Sequence, residues 1–314
     1  MQYAVIGGAG FIGSHVARTL LDAGEKVVVY DNFSSGTEWH LHEVADHENL
    51  KIVRGDIREL DRLKDVLKDC GTVYHFASNP DIAKAVTHPD VDFWEGTYLT
   101  NNVLEAMRQN GIKRLIYSSG SGVYGECGTK PVKETFPDMR PISTYGASKL
   151  SCEALICSYC YMFGMNAAAF RFANVVGPRQ THGVGYDFIN SLRNNPGKLK
   201  ILGDGTQDKS YIYVDDVVAA IRLVETKHLI GYDVYNVATC DSVTVTEIAD
   251  LACEIAGAAC VEYEYTGGSR GWKGDVPVIR MNSEKIRAIG WSNKFTSRQA
   301  LYESMSAMNR EVHG

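Results

Sequence analysis

Short apolar runs rich in β-branched residues alternate with longer stretches of helical period through the first half of the chain. Residues 3–6, 26–30, 51–53, 72–76, 115–117 and 167–171 predict strands. Between them, residues 12–23, 60–67 and 98–109 place apolar side chains three and four apart and predict helices. This alternation predicts an α/β fold, a doubly wound parallel sheet with helices on both faces.

The pattern changes after Asn174. Gly and Pro thicken around 177–178, 183–185, 196–197 and 203–205, and a second glycine-rich stretch covers 267–274. Helical periods return at 216–224, 246–256, 283–289 and 298–308. This half predicts a smaller α+β C-terminal domain. The expected division is 1–175 for the sheet domain, with returns near 210–240, and mainly 176–314 for the second. The stretches 210–218 and 234–238 are the ones expected to rejoin the main sheet.

The 314 residues are 45% hydrophobic and 22% charged, as in an ordinary globular protein. The net charge of -6 is spread along the chain, which removes the basic footprint of a nucleic-acid binder. An anionic ligand stays open, because backbone amides hold phosphate without net charge. No run approaches the roughly 18 apolar residues of a membrane span. A strand-like segment begins at Gln2, so no signal peptide is expected and the protein reads as cytoplasmic. Among the cysteines only Cys157 and Cys160 form C-x-x-C. They fall in the helical stretch 151–162 and are expected to pack. No histidine cluster has metal-ligand spacing, so no metal is expected.

The first strand runs into Gly7-Gly8-Ala9-Gly10-Phe11-Ile12-Gly13, and a helix follows. Gly8, Gly10 and Gly13 satisfy G-x-G-x-x-G, and Gly7 adds a G-x-x-G-x-x-G reading. The early glycines permit a tight turn and let a pyrophosphate approach the backbone; the last lets helix pack on strand. The helix N-terminus then faces the negative charge with free amides. The second strand leads to Asp31, 18 residues past Gly13, close to the usual spacing of about 20. A carboxylate there accepts hydrogen bonds from both ribose hydroxyls and repels a 2′-phosphate, which favours NAD over NADP. The third strand ends near Asp56, within reach of an adenine amino group.

Tyr145 and Lys149 form Y-x-x-x-K. On a helix, residues four apart share a face. An ammonium beside a phenol is expected to favour the phenolate, lowering a pKa that is ordinarily about 10. Such a phenolate takes a proton from a hydroxyl while a nicotinamide takes the hydride.

Together with Asp31-Asn32-Phe33-Ser34-Ser35-Gly36, His75-Phe76-Ala77, Ser118-Ser119, Val123-Tyr124-Gly125 and Arg171-Phe172-Ala173-Asn174-Val175-Val176-Gly177-Pro178, these motifs resemble the extended short-chain dehydrogenase/reductase family. Gly203-Asp204-Gly205 and Asp215-Asp216 continue the match, which covers essentially the whole chain. The branch it resembles is that of UDP-glucose (UDP-galactose) 4-epimerase-like enzymes. The resemblance implies a Rossmann-type NAD domain and a smaller domain holding a nucleotide sugar, UDP-linked. It extends the cofactor set to Phe11, Ile12, Asn32, Ser34, Ser35, Gly36, Ile57, Phe76, Ala77, Ser78, Ser118 and Phe172. It implies that Tyr145 exchanges a proton with the sugar 4-hydroxyl and that Lys149 holds the nicotinamide ribose. Asn174 matches the asparagine that contacts the sugar diphosphate.

Two positions depart from the family. Relatives carry Ser or Thr five residues before the Gly of Val-Tyr-Gly; here that position is Gly120, flanked by Ser119 and Ser121, either of which could substitute, or else water or the substrate supplies that bond. Gly96 stands where relatives carry an Asn that shapes the nicotinamide pocket. The resemblance also sorts the chemistries. The 4,6-dehydratases need an Asp-Glu pair where this chain has Ser121 and Gly122. The decarboxylases want a Glu in this stretch, and Glu126 comes after Tyr-Gly. A 4-ketoreductase would prefer NADPH, against Asp31. A non-catalytic NAD-binding regulator would leave Tyr145 and Lys149 unexplained.

On the substrate side, Lys209 and Arg270 are candidate diphosphate cations, and Arg179 and His182 sit in a loop the family places near the nucleotide. The family's four-helix dimer would use residues 94–108 and 148–162, so a homodimer is expected.

Overall fold

The computed structural model describes residues 1–311. Up to Phe172 the chain runs β1 (Gln2–Ile6), α1 (Phe11–Asp22), β2 (Lys26–Asp31), β3 (Leu50–Arg54), α2 (Leu60–Leu67), β4 (Thr72–His75), α3 (Leu99–Gln109), β5 (Arg114–Gly120), α4 (Thr144–Phe163) and β6 (Asn166–Phe172). With Tyr232–Val237 these strands build a seven-stranded sheet in the order Tyr232–Val237, β6, β5, β4, β1, β2, β3. The β1–β2, β1–β4, β2–β3 and β4–β5 pairings are parallel. This is the doubly wound, Rossmann-type α/β sheet that the alternation predicts.

Helices cover both faces, so inner strands bury almost every residue and read as apolar runs. The edge strand β3 stays largely exposed. Leu63 and Leu67 of α2 join Val103 and Met107 of α3 in one core with Ile6 and Tyr30. Burying each such side chain is worth roughly 1.5–3 kcal/mol. The inward face of α4 carries Lys149, Cys152, Glu153, Ile156 and Cys160, three and four apart. Cys157 and Cys160 are free, and burial pushes the Cys160 thiol up to about 11. The strand order reverses between β1 and β4. The loops after these two strands therefore open where a doubly wound sheet binds its ligand.

The chain forms two compact units. The first holds Met1–Val123, Thr144–Arg171 and Val218–Tyr235; the second holds Tyr124–Ser143, Phe172–Val217 and the chain from Asn236. The second unit has its own core, including Phe188, Leu199, Ile248, Leu301 and Met305. Its strands pair two by two: Tyr211–Tyr213 with Asn174–Val176, Val243–Thr244 with Asp208–Lys209, and Glu262–Tyr265 with Lys198–Ile201. Of the stretches expected to rejoin the main sheet, Tyr232–Val237 is its edge strand. The earlier stretch does not rejoin it: Tyr211–Tyr213 pairs with Asn174–Val176, and Val214–Lys227 is helical. Among the described residues no helix is long and apolar enough to cross a membrane, and no cluster of His, Cys, Asp or Glu is placed to hold a metal.

Candidate active site

The glycine loop is dictated by close packing. Gly7 lies at φ 77°, where only glycine is unstrained. A Cβ on Gly7 would sit 2.5 Å from the Ala77 amide nitrogen, and one on Gly13 would sit 2.3 Å from the Gly7 carbonyl oxygen. Gly10 is different: a Cβ there would meet only the Gly7 carbonyl, at 3.3 Å. Its bareness serves approach from outside. Gly10 precedes α1, and no side chain caps that helix, so its first amides are available to an anion. The loop therefore fits a dinucleotide pyrophosphate.

Asp31 closes the other side of this loop. Its Oδ2 accepts from the Ala9 amide at 2.9 Å and its Oδ1 from the Phe33 amide at 2.8 Å. Each oxygen keeps a lone pair for a ribose hydroxyl. A Cβ on Gly36 would collide with the Ala9 backbone at 2.8 Å, so the 31–36 turn lies directly on the glycine loop. Asn32, Ser34 and Ser35 of that turn are exposed, and Asn32 Oδ1 accepts from the Ser34 amide at 2.9 Å. Asp56 accepts from the Arg58 amide and guanidinium at 2.9 and 3.1 Å, and its neighbour Ile57 is buried, with its carbonyl accepting from Asn102. Phe76, Ala77 and Ser78 form the half-buried loop after β4. Phe11 is buried and Ile12 half-buried on α1, and Phe172 is buried at the end of β6.

Tyr145 and Lys149 stand on the first turns of α4. The Lys149 Nζ donates to the Ser118 carbonyl at 2.8 Å and lies 5.5 Å from the Tyr145 ring centre. Burial pulls the Lys149 ammonium down to about 8, against Cys152, Asp92 and Glu153, which hold it up. The expected lowering of the Tyr145 phenol is not what the protein alone does. Burial, then the Asp92 carboxylate and Cys152, push it up to about 12, and a hydrogen bond with Ser78 only partly offsets this. The phenol is therefore set as a proton carrier that needs added positive charge to ionise.

The three serines beside Gly120 differ sharply. The Ser118 hydroxyl donates to the His75 carbonyl at 3.4 Å. Ser119 donates to Glu153 Oε1 at 2.6 Å, and Arg171 donates to both carboxylate oxygens of Glu153, to Oε1 at 3.0 Å and to Oε2 at 2.6 Å. All three of these side chains are buried. The Ser121 side chain, half-buried on the turn Ser121–Tyr124, has no hydrogen-bond partner among the described residues. That turn abuts the start of α4, since a Cβ on Gly122 would meet Gly146 Cα at 3.5 Å. A Cβ on Gly120 would meet nothing within 4 Å. Gly96 is explained by packing: a Cβ there would lie 2.2 Å from Ser148 Oγ. It sits in a π-helical turn, Phe93–Tyr98.

The second unit holds the substrate-side candidates. Asn174 donates to the Ser210 carbonyl at 3.1 Å. Lys209 and Arg270 meet at Asp275: Lys209 Nζ pairs with its carboxylate at 2.5 Å, and Arg270 donates to its carbonyl at 2.6 Å and pairs with Glu126. Arg179 belongs to the same unit. It is buried at φ 64°, its amide donating to Glu311 at 3.1 Å. His182 is exposed.

Sequence reasoning missed Asp92, which acts on Tyr145 and Lys149, and the buried Glu153–Arg171 pair that holds Ser119. Glu153 was discoverable, because it lies one turn past Lys149 on the same face. Asp92 had no signal of its own; the folding of its segment against α4 brings it in.

The sequence profile of the NAD-dependent epimerase/dehydratase family matches residues 3–238. A putative UDP-glucose 4-epimerase of Methanocaldococcus jannaschii is 31% identical over 304 residues, covering 95% of each chain. The crystal structure of Thermus thermophilus UDP-glucose 4-epimerase in complex with NAD superposes with TM-score 0.89 at 30% identity, covering 99% of this chain and 100% of that one. A dTDP-glucose 4,6-dehydratase of Streptomyces venezuelae with NAD bound superposes with TM-score 0.92 at 25% identity, covering 99% and 97%.

Proposed function

The chain belongs to the NAD-dependent epimerase/dehydratase family, and on that premise we propose that it inverts C4 of a UDP-linked sugar through a transient 4-keto intermediate. NAD is the cofactor, and it supplies the hydride acceptor and, on return, the hydride donor. Gly7, Gly10 and Gly13 hold its pyrophosphate and Asp31 its adenosine ribose. Lys149 holds the nicotinamide ribose while fixed by the Ser118 carbonyl. Tyr145, ionised once the positive charge of the bound cofactor joins that of the Lys149 ammonium, would take the proton of the sugar 4-hydroxyl as C4 loses hydride and would give it back after the keto sugar has turned its other face. Ser121 hydrogen-bonds the reacting oxygen. Asn174, Lys209 and Arg270 serve the diphosphate, the last after leaving Glu126.

The free Ser121 hydroxyl, on the turn that abuts the start of the helix bearing Tyr145 and Lys149, carries this reading. The likeness to a dehydratase favours a second outcome, elimination to a 4-keto-6-deoxy sugar. That reaction needs carboxylates where Ser121 and Gly122 stand, which favours epimerisation. We also infer a homodimer, because α4 itself exposes Tyr161 and Met162 and the π-helical turn before α3 exposes Trp94.

A panel of nucleotide sugars followed by NMR tests the proposal. C4 inversion of a UDP-sugar is expected, and a 4-keto-6-deoxy product would replace the reading. Tyr145→Phe should abolish turnover and leave NAD bound; an active Tyr145→Phe enzyme would remove Tyr145 from its role.

A further inference from the structure

Asp92 is buried to 2% exposure at the start of the π-helical turn, outside every motif of the site. Its Oδ2 accepts from Thr144 Oγ1 at 2.7 Å, and its main-chain oxygen accepts from Ser148 Oγ at 2.7 Å. Thr144 immediately precedes Tyr145, and Ser148 immediately precedes Lys149. One residue thus grips α4 just before each member of the acid–base pair. Its Oδ1 accepts from Asn79 Nδ2 at 2.9 Å, and Asn79 follows Ser78, whose side chain bonds Tyr145. The ring Ser78–Tyr145, Thr144–Asp92–Asn79 closes on itself. The bareness of Gly96 lets Ser148 sit close enough to complete it, with Thr97 Oγ1 3.0 Å from Ser148 Oγ.

We propose that Asp92 is a positioning residue for the Tyr145–Lys149 pair, locking the first turn of α4 through Thr144 and Ser148. The inference rests on the proposed role of Tyr145. Misplacing a reacting group by about 1 Å costs on the order of 100-fold, so the helix start has little freedom. The charge of Asp92 acts in the same place. The titratable groups facing Tyr145 are Asp92 from the π-helical turn, Lys149 and Cys152 from α4, and Tyr117 from β5, while Glu153 of α4 acts on Lys149 and Tyr117. Asp92 and Cys152 oppose its ionisation.

The test compares Thr144→Val, Thr144→Ser and Asp92→Asn in the NAD-loaded enzyme, with Tyr145→Phe as reference. Thr144→Val should lower kcat on the order of 10–100-fold with KM for the UDP-sugar within about twofold, and Thr144→Ser should restore it. Asp92→Asn should move the acid limb of the kcat–pH profile to lower pH, which a purely structural loss would not do. Wild-type kcat in Thr144→Val, or an unmoved acid limb in folded Asp92→Asn, overturns the proposal. If Asp92→Asn does not fold, the Thr144 pair decides alone. An active Tyr145→Phe would instead sink the reading beneath it, so the two failures are distinguishable.

Discussion

The Ser119 hydroxyl donates to Oε1 of Glu153 at 2.6 Å, and Glu153 is in turn held by two bonds from Arg171. A hydroxyl locked to a buried carboxylate cannot also serve a sugar oxygen without leaving that carboxylate short of a donor. Ser121→Ala should therefore lower kcat on the order of 100-fold with little change in KM, as for the loss of one preorganised donor. Ser119→Ala should destabilise the fold by about 1–3 kcal/mol and leave kcat per folded molecule within a few-fold. Steady-state kinetics beside chemical denaturation separates the two. A larger kcat loss in Ser119→Ala would reverse the assignment.

Gly120 and Gly96 answer differently to a side chain. At Gly120 there is open space, so Gly120→Ser should fold normally. In a Ser121→Ala background it should recover activity by placing a hydroxyl where the family carries one. At Gly96 a Cβ would press on Ser148 Oγ. Gly96→Asn is expected to cost about 1–3 kcal/mol through overpacking, read as a fall in Tm. A neutral Gly96→Asn would mean that Ser148 can move aside, and no rescue by Gly120→Ser would mean that the open space does not face the substrate.

These contrasts mark where the sequence is legible. The glycine loop, Asp31, Tyr145 and Lys149 announce themselves because their roles depend on local spacing. Apolar runs such as 3–6 and 26–30 become β1 and β2 because burial on both faces leaves no other use for them. Which of Ser119 and Ser121 is free is decided by Glu153 and Arg171, 34 and 18 residues apart from their partners along the chain. The position of Asp92 depends on α3 and α4 packing around a π-helical turn that no periodicity encodes. Lys209 and Arg270 were visible as cations, but not their joint anchoring at Asp275.

Asp31 holds the Ala9 and Phe33 amides and, on the proposed reading, a ribose. Asp31→Ser keeps a short acceptor and removes the charge. NAD affinity should fall about 10–100-fold, the worth of a charge-assisted hydrogen bond, and discrimination against NADP should shrink because the repulsion of a 2′-phosphate is gone. Calorimetric titration of cofactor-stripped protein measures both. Unchanged NAD affinity would place the ribose elsewhere.

Lys149 gives a pH signature that does not depend on turnover. Burial pulls its ammonium from the ordinary 10.5 down to about 8 in the folded protein. Below pH 8 folded and unfolded chains both carry the proton, and the folded state bears the full cost of a buried cation. Between about 8 and 10.5 the folded protein releases the proton while the unfolded chain keeps it. The unfolded state then binds more protons, so this residue's contribution to stability rises with pH across that window. Lys149→Met keeps the length and removes the charge. In the absence of NAD it should be more stable than the wild type at pH 7. That advantage should shrink by on the order of 2 kcal/mol by pH 10. Groups remote from Lys149 cancel in the difference between the two proteins, and Tyr145, whose own rise from 10 to about 12 works in the opposite sense, titrates above this window in the folded protein. Denaturation of both proteins at pH 7, 8, 9 and 10 reads the slope. A difference that stays flat would mean that the bond to the Ser118 carbonyl fully compensates the burial of the ammonium.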